Sequence, residues 1–198
     1  MKRIILHWTA GTNAVSDLDR RHYHFIIDGD GKVHEGTFRP EDNLDVRDGK
    51  YAAHTLNCNT GAIGVAVAAM AGAVERPFNA GRFPITLKQV EALARLCARL
   101  CAQYEIPVRR ETILSHAEVQ PTLKIQQRGK WDITWLPGMA KPDDPVKVGD
   151  FIRAKVAGNV EPPRPDVEPA QKVDAPAWAW FAQAWAAIVD QLTRKWRL

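Results

Sequence analysis

The chain has few cysteines and no apolar run long enough to cross a bilayer. Its three cysteines, Cys58, Cys97 and Cys101, cannot all pair, and their spacing is not that of a metal-binding CxxC motif. Cys97 and Cys101 lie one helical turn apart among leucine and alanine, so we predict that they are small buried residues in a reducing compartment. Cys58 closely follows His54, and a hydrolase with Cys58 as its nucleophile is an alternative that the sequence leaves open.

The N-terminus lacks the features of a secretory signal peptide. The apolar run after Met1-Lys2-Arg3 is short and ends at His7, and no small-residue cleavage site follows it. We therefore expect the protein to be made in the cytoplasm and to remain there unless another route releases it.

The composition indicates a globular protein rather than a nucleic-acid-binding one. Hydrophobic residues make up 45% of the chain and charged residues 25%, which excludes global disorder. The net charge of +4 is a mild bias that suits an anionic envelope as well as it suits nucleic acid. No basic cluster interleaved with aromatic residues occurs in residues 1–140, so we expect no nucleic-acid partner.

Hydrophobic periodicity predicts an α/β fold in which a mixed central β-sheet is flanked by α-helices. The predicted strands cover residues 3–8, 23–27, 32–36, 62–68 and 112–114. The predicted helices cover residues 16–21 and 87–104. Thr86 with Gln89 forms a capping box before the longer helix, and Asp28-Gly29-Asp30-Gly31 is typical of a hairpin turn.

The composition changes after Gly138, which divides the chain into three predicted parts. Residues 1–140 form the main domain, residues 141–176 a polar and then proline-rich linker, and residues 177–198 an amphipathic helix rich in tryptophan. Tryptophan on one face and basic residues on the other suit peripheral contact with an anionic membrane or lipopolysaccharide. The alternative is that this face packs on the main domain or on a second copy.

Two histidines and one aspartate have the chemistry of a catalytic zinc site. His7 ends the first buried strand, His116 follows a later short strand, and Asp132 closes the loop after it. Three protein ligands leave the fourth tetrahedral position of zinc open for water. Taken singly, however, a histidine at a strand end is more often structural than a ligand, and the spacing of these three does not identify a site.

Five short blocks in a fixed order resemble the zinc-dependent N-acetylmuramoyl-L-alanine amidases, a family whose fold the peptidoglycan-recognition proteins share. The blocks are His7-Trp8-Thr9, His22-Tyr23-His24-Phe25, Ala53-His54 with Asn59-Thr60-Gly61-Ala62-Ile63-Gly64-Val65, Ser115-His116 and Lys130-Trp131-Asp132. The resemblance covers roughly residues 1–137 and is strongest to short phage-type endolysins.

The resemblance implies a zinc ion bound by His7, His116 and Asp132. It further implies that Lys130 stabilises the oxyanion and that Tyr23 positions the water or donates a proton. His54 is implied to face the cleft, as a residue that contacts substrate or supports a ligand. His24 neighbours Tyr23 on the predicted strand, so we expect it to point to the opposite face, away from the site.

One departure from the family pattern concerns the central strand. Bacterial cytosolic relatives carry a glutamate there as general base, whereas Val65-Ala66-Val67-Ala68 has no acid. The resemblance therefore assigns the base role to Tyr23 or to the water itself, and it favours the endolysin-like branch.

The activity that the resemblance implies is hydrolysis, by a zinc-activated water, of the amide bond between N-acetylmuramic acid and L-alanine in peptidoglycan. We expect a monomer that acts on the cell wall, in the periplasm, after release during phage or prophage host lysis. The alternative is a zinc-free recognition module that binds peptidoglycan with the same fold. Such modules typically lose the third ligand position, which Asp132 fills here.

Overall fold

A five-stranded sheet forms the centre of residues 1–160, the part of the chain that the computed structural model describes. The strands are β1 (Arg3–Trp8), β2 (Phe25–Ile27), β3 (Val33–Glu35), β4 (Ala62–Val67) and β5 (Ile113–Ser115). Their order in the sheet is β3-β2-β4-β1-β5, and only the β2–β3 hairpin is antiparallel. The predicted mixed sheet is confirmed.

The helices that accompany the sheet are α1 (Asp17–His22), α2 (Leu87–Tyr104), α3 (His116–Leu123) and α4 (Pro145–Asn159), with a short 3-10 helix at Pro40–Leu44. The prediction of α2 is confirmed, since Thr86 caps it and its apolar face is buried. Cys97 and Cys101 lie in this face, and burial raises the pKa of Cys101 to about 11. None of the helices within residues 1–160 is long and apolar enough to span a membrane.

The two faces of β1 and β4 have different neighbours. Ile4 and Leu6 of β1 belong to the large core that includes the buried side of α2. Ile5 packs on the other face with Ala62 and Leu114. Because successive side chains of a strand alternate between faces, His7 lies on the same face as Ile5, opposite α2. This alternation places His7 at the carboxyl end of β1 and on the face where the site forms.

The predicted linker does not begin at residue 141, because residues 145–159 form α4. Asp144 caps this helix and Pro145 occupies its first turn. Val148, Ile152 and Val156 repeat every four residues and are buried in the core shared with α2. The many polar residues between them conceal this periodicity in the sequence. The main domain therefore extends past residue 140, while the proline-rich segment and the predicted C-terminal helix at 177–198 lie outside the described residues.

The hairpin is also shorter than predicted at its first strand. Tyr23 follows α1 directly and caps its C-terminus, and β2 begins only at Phe25. Strand alternation therefore does not govern the directions of Tyr23 and His24.

Candidate metal centre

The fold brings His7, His116 and Asp132 together at one edge of the sheet. β1 and β5 are parallel neighbours, so the residues at their carboxyl ends, His7 and His116, meet there. Asp132 Oδ2 lies 3.5 Å from His7 Nδ1 and 3.8 Å from His116 Nδ1. One ligand atom from each of the three residues falls within 4.8 Å of the others. All three side chains are buried, and they offer the two nitrogens and one oxygen that suit zinc.

Burial keeps both imidazoles uncharged. It lowers the pKa of His7 well below its ordinary value, and His116 and Lys130 lower it further by repulsion. Burial also lowers the pKa of His116, although Asp132 opposes this effect. The pKa of Asp132 is raised by burial, against the attraction of His116 and Lys130. Neutral imidazoles are the form that binds a metal, because the ligating nitrogen must have a free lone pair.

Gln127 fixes the tautomer of His116. The amide Nε2 of Gln127 donates to the carbonyl of Leu56 at 3.0 Å, which turns its Oε1 towards the imidazole. This Oε1 lies 3.0 Å from His116 Nε2, so Nε2 carries the proton and donates it to the amide. His116 Nδ1 is then left unprotonated and faces Asp132. The donor set therefore fits a zinc ion in its protonation as well as in its chemistry.

His54 lies behind His7 rather than beside Asp132. His54 Nδ1 is 3.2 Å from His7 Nε2 and 2.8 Å from the hydroxyl of Thr55. Its ring covers Gly64 of β4, where a Cβ would lie 2.6 Å from ring carbons. Of the two roles that the sequence left open for His54, this geometry favours support of His7, although His54 also lines the adjoining cavity.

Tyr23 and Lys130 both lie near the three residues. The ring centroids of Tyr23 and His7 are 5.1 Å apart. Burial raises the pKa of Tyr23, and Asp132 and Asp19 raise it further, so the phenol stays protonated at neutral pH. Lys130 is exposed and lines a cavity of about 470 Å³ together with His54 and His116.

The loop that carries Lys130 and Asp132 is anchored by its middle residue. The indole of Trp131 packs edge-on against Trp8, with ring centroids 4.5 Å apart. Ile133, which follows Asp132, is buried with φ of 60°, a left-handed conformation that costs a β-branched residue energy. The surrounding core must hold this bend, and the bend sets the direction of Asp132.

Three polar residues near the site were not predicted from the sequence. Gln127 contacts His116, and Thr55 contacts both His7 and His54. A lone Gln or Thr in a loop gives no sequence signal of such a role. His24, expected to point away, is buried with its ring centroid 5.6 Å from that of His54. It accepts a hydrogen bond from the backbone of Gly64 and pairs with Asn43, so it supports His54 without reaching the three ligands.

Cys58 is buried apart from these groups. It packs with Ile5 and Leu114, and its thiol accepts a hydrogen bond from Arg3 at 3.3 Å. The geometry gives a Cys58 nucleophile no support.

The family profile of N-acetylmuramoyl-L-alanine amidase matches residues 1–138. The chain therefore belongs to this amidase family, whose members hydrolyse an amide bond of peptidoglycan, as the resemblance in the five blocks predicted. No match emerges among curated protein sequences.

Three solved structures are similar to this chain at low sequence identity. The Staphylococcus aureus hydrolase AmiA, solved with its ligand, is 15% identical over 81% of this chain and 77% of its own, with a TM-score of 0.50. The Ph2119 endolysin from a Thermus scotoductus bacteriophage is 16% identical over 78% of this chain and 83% of its own, with a TM-score of 0.45. PlyL is 17% identical over 80% and 86%, with a TM-score of 0.44.

Proposed function

We propose that the protein is a zinc hydrolase that cleaves the bond between N-acetylmuramic acid and L-alanine in peptidoglycan. The observation that carries this proposal is the convergence of buried, uncharged His7 and His116 on Asp132. Zinc held there would polarise the amide carbonyl and lower the pKa of a water to about 7.

Tyr23 and Lys130 are the groups that we assign to catalysis beside these ligands. The protonated phenol of Tyr23 lies against His7, where it can orient the attacking water or donate to the leaving nitrogen. The ammonium of Lys130 stands at the cavity, where it can stabilise the negative charge that develops on the carbonyl oxygen. His54 and Gln127 hold the two imidazoles in place from behind.

The setting that we propose is lysis of a host wall by a phage-type endolysin. The support comes from β4, whose six residues are apolar or glycine and all buried, so no carboxylate stands there as a general base. The alternative of a zinc-free recognition module is disfavoured by the intact third ligand, Asp132.

Metal content and wall hydrolysis, measured together, test the proposal. We expect one zinc per chain, loss of activity with a chelator, and its return when zinc is added back. His7→Ala, His116→Ala and Asp132→Ala should each abolish both zinc binding and hydrolysis, because each variant keeps only two of the three protein ligands that hold a catalytic zinc. His34→Ala, on β3 and paired with Asp28 of the hairpin, is the matched control and should keep both.

Two results would overturn this proposal. A ligand variant with full zinc removes that residue from the site. A wild-type protein that binds peptidoglycan but neither holds zinc nor hydrolyses it is a recognition module.

A further inference from the structure

Helix α4 lies beyond the segment that matches the amidase family, yet it carries a buried charge directed at the metal centre. The family match ends at residue 138, and α4 spans Pro145–Asn159. Arg153, on the inner side of this helix, is only 6% exposed. An arginine buried to this degree is rare unless its guanidinium is fully paired.

The guanidinium of Arg153 contacts the chain on both sides of His116. Its Nη1 donates to the carbonyl of Ile113 at 2.7 Å, three residues before the ligand. The same nitrogen lies 2.8 Å from Glu118 Oε1, two residues after the ligand. The other oxygen of Glu118 accepts the backbone N–H of Ser115 at 2.7 Å. Arg153 and Glu118 together therefore hold the turn in which β5 ends and α3 begins, and His116 is the first residue of α3.

Other residues of α4 also favour the contact between Arg153 and Glu118. Gly149 faces the Glu118 carboxylate so closely that a Cβ would overlap it, so no other residue allows this approach. Nη2 of Arg153 donates to the carbonyl of Val146 at 3.1 Å and to Asp150 Oδ1 at 2.8 Å. The guanidinium is thus fixed within its own helix before it reaches Glu118, which reduces the entropy lost in making the contact.

We propose that Arg153 is a positioning residue for His116 and acts through Glu118, so that α4 is a part of the metal centre's support. This inference depends on the proposed function, because the property that Arg153 would control is zinc binding at His116. Without its counter-ion, the buried Glu118 carboxylate has to move towards water. This movement breaks its contact with the Ser115 backbone, releases the first turn of α3 and displaces the imidazole that Gln127 orients.

The test is zinc affinity, measured in the full chain by competition with a chelator, in Arg153→Met and in the double variant Arg153→Met with Glu118→Gln. We expect about 10- to 100-fold weaker zinc binding in Arg153→Met, the range for lost supporting contacts. The double variant should recover much of this loss, since the neutral amide needs no counter-ion and still accepts from Ser115. The visible spectrum of the Co²⁺-substituted protein should change in the single variant and return towards wild type in the double one.

Lys155→Met is the matched control, because Lys155 also ties α4 to a neighbouring helix, through Glu91 of α2, but does not contact Glu118. Its zinc affinity should equal that of the wild type. If Arg153→Met does not fold, Arg153→Lys decides. Lysine keeps the charge, but its single ammonium, with three donors, cannot replace the two terminal nitrogens that serve four acceptors in Arg153. We expect this variant to fold and to bind zinc several-fold more weakly.

Wild-type zinc affinity in a folded Arg153→Met or Arg153→Lys would overturn the inference while leaving the proposed function intact. So would unfolding of both variants, which would make Arg153 a residue of general stability. A wild-type protein that binds no zinc would remove the proposed function, and this inference with it.

Discussion

The two halves of the metal centre are held in different ways. His7 belongs to a strand that pairs with β4 on one side and β5 on the other, so the backbone ladder itself fixes its position. His116 and Asp132 follow a three-residue strand and a loop, and side chains hold them: Gln127 and Arg153 around His116, Trp131 beside Asp132. The sheet therefore fixes the backbone of a ligand in a central strand, and His54 orients its ring. A ligand on a short edge element depends on polar contacts from several side chains.

The largest expected effect lies in catalysis, where each half contributes one group. Tyr23→Phe and Lys130→Ala should each lower kcat by about 10²- to 10³-fold, the usual cost of losing one donor to a developing charge. Zinc content should stay at the wild-type level in both, because neither residue is among the three ligands. The measurement is turnover of purified peptidoglycan alongside metal analysis.

Tyr104→Phe and Lys88→Ala are the matched controls, both on α2 and both engaged in surface contacts. They should turn over substrate at the wild-type rate. Near-normal turnover in Tyr23→Phe or Lys130→Ala would show that the residue has no catalytic role. A loss of turnover in only one of the two variants would show that a single half of the site supplies the catalytic group.

A smaller effect, on zinc affinity, is expected from Gln127, the hydrogen-bond partner of His116. Gln127→Ala removes the acceptor that fixes the imidazole, and we expect zinc affinity to fall about 10- to 100-fold. Its neighbour Gln126, which is exposed, provides the control: Gln126→Ala should bind zinc as the wild type does. Unchanged zinc affinity in Gln127→Ala would mean that the backbone alone fixes His116 as well as it fixes His7.

The same contrast explains how much of the structure was predictable from the sequence. β1, β4 and α2 are continuous apolar patterns, and each was predicted close to its observed bounds because burial of such patterns is a local property. The three residues proposed as ligands, and Tyr23, were singled out through resemblance to the family and not through a local pattern.

What the sequence did not reveal depends on contacts between distant residues. Residues 145–159 were interpreted as linker because five polar residues and two glycines interrupt their apolar positions. The three apolar residues that are buried against α2 show their role only in the fold. The roles of Gln127 and Arg153 follow from where loops and helices meet. The left-handed conformation of Ile133 opposes its own local preference, and only the surrounding core imposes it.

The smallest expected effect concerns stability and qualifies the comparison, because the His7 half also has polar support: His54 contacts His7, and His24 lies beside His54. His24 accepts the backbone N–H of Gly64 through Nδ1, so it must be neutral, with its proton on Nε2 towards Asn43. Burial lowers the pKa of His24 to about 4, against the opposing effect of the Asn43 hydrogen bond. The unfolded chain therefore takes up a proton at His24 at a higher pH than the folded protein does.

Stability from this residue is fully present above about pH 6.5 and falls as the pH drops from there towards 4. Between pH 7 and pH 5 the loss should be about 2 kcal/mol, from about 1.4 kcal/mol for each unit between the two pKa values. His24→Gln should show a correspondingly smaller difference between its free energies of unfolding at these two pH values. His22→Gln, altered at an exposed position, should keep the wild-type difference. Urea unfolding of the three proteins measures this, and an equal pH dependence in all of them would mean that His24 is protonated as readily in the fold as in the unfolded chain.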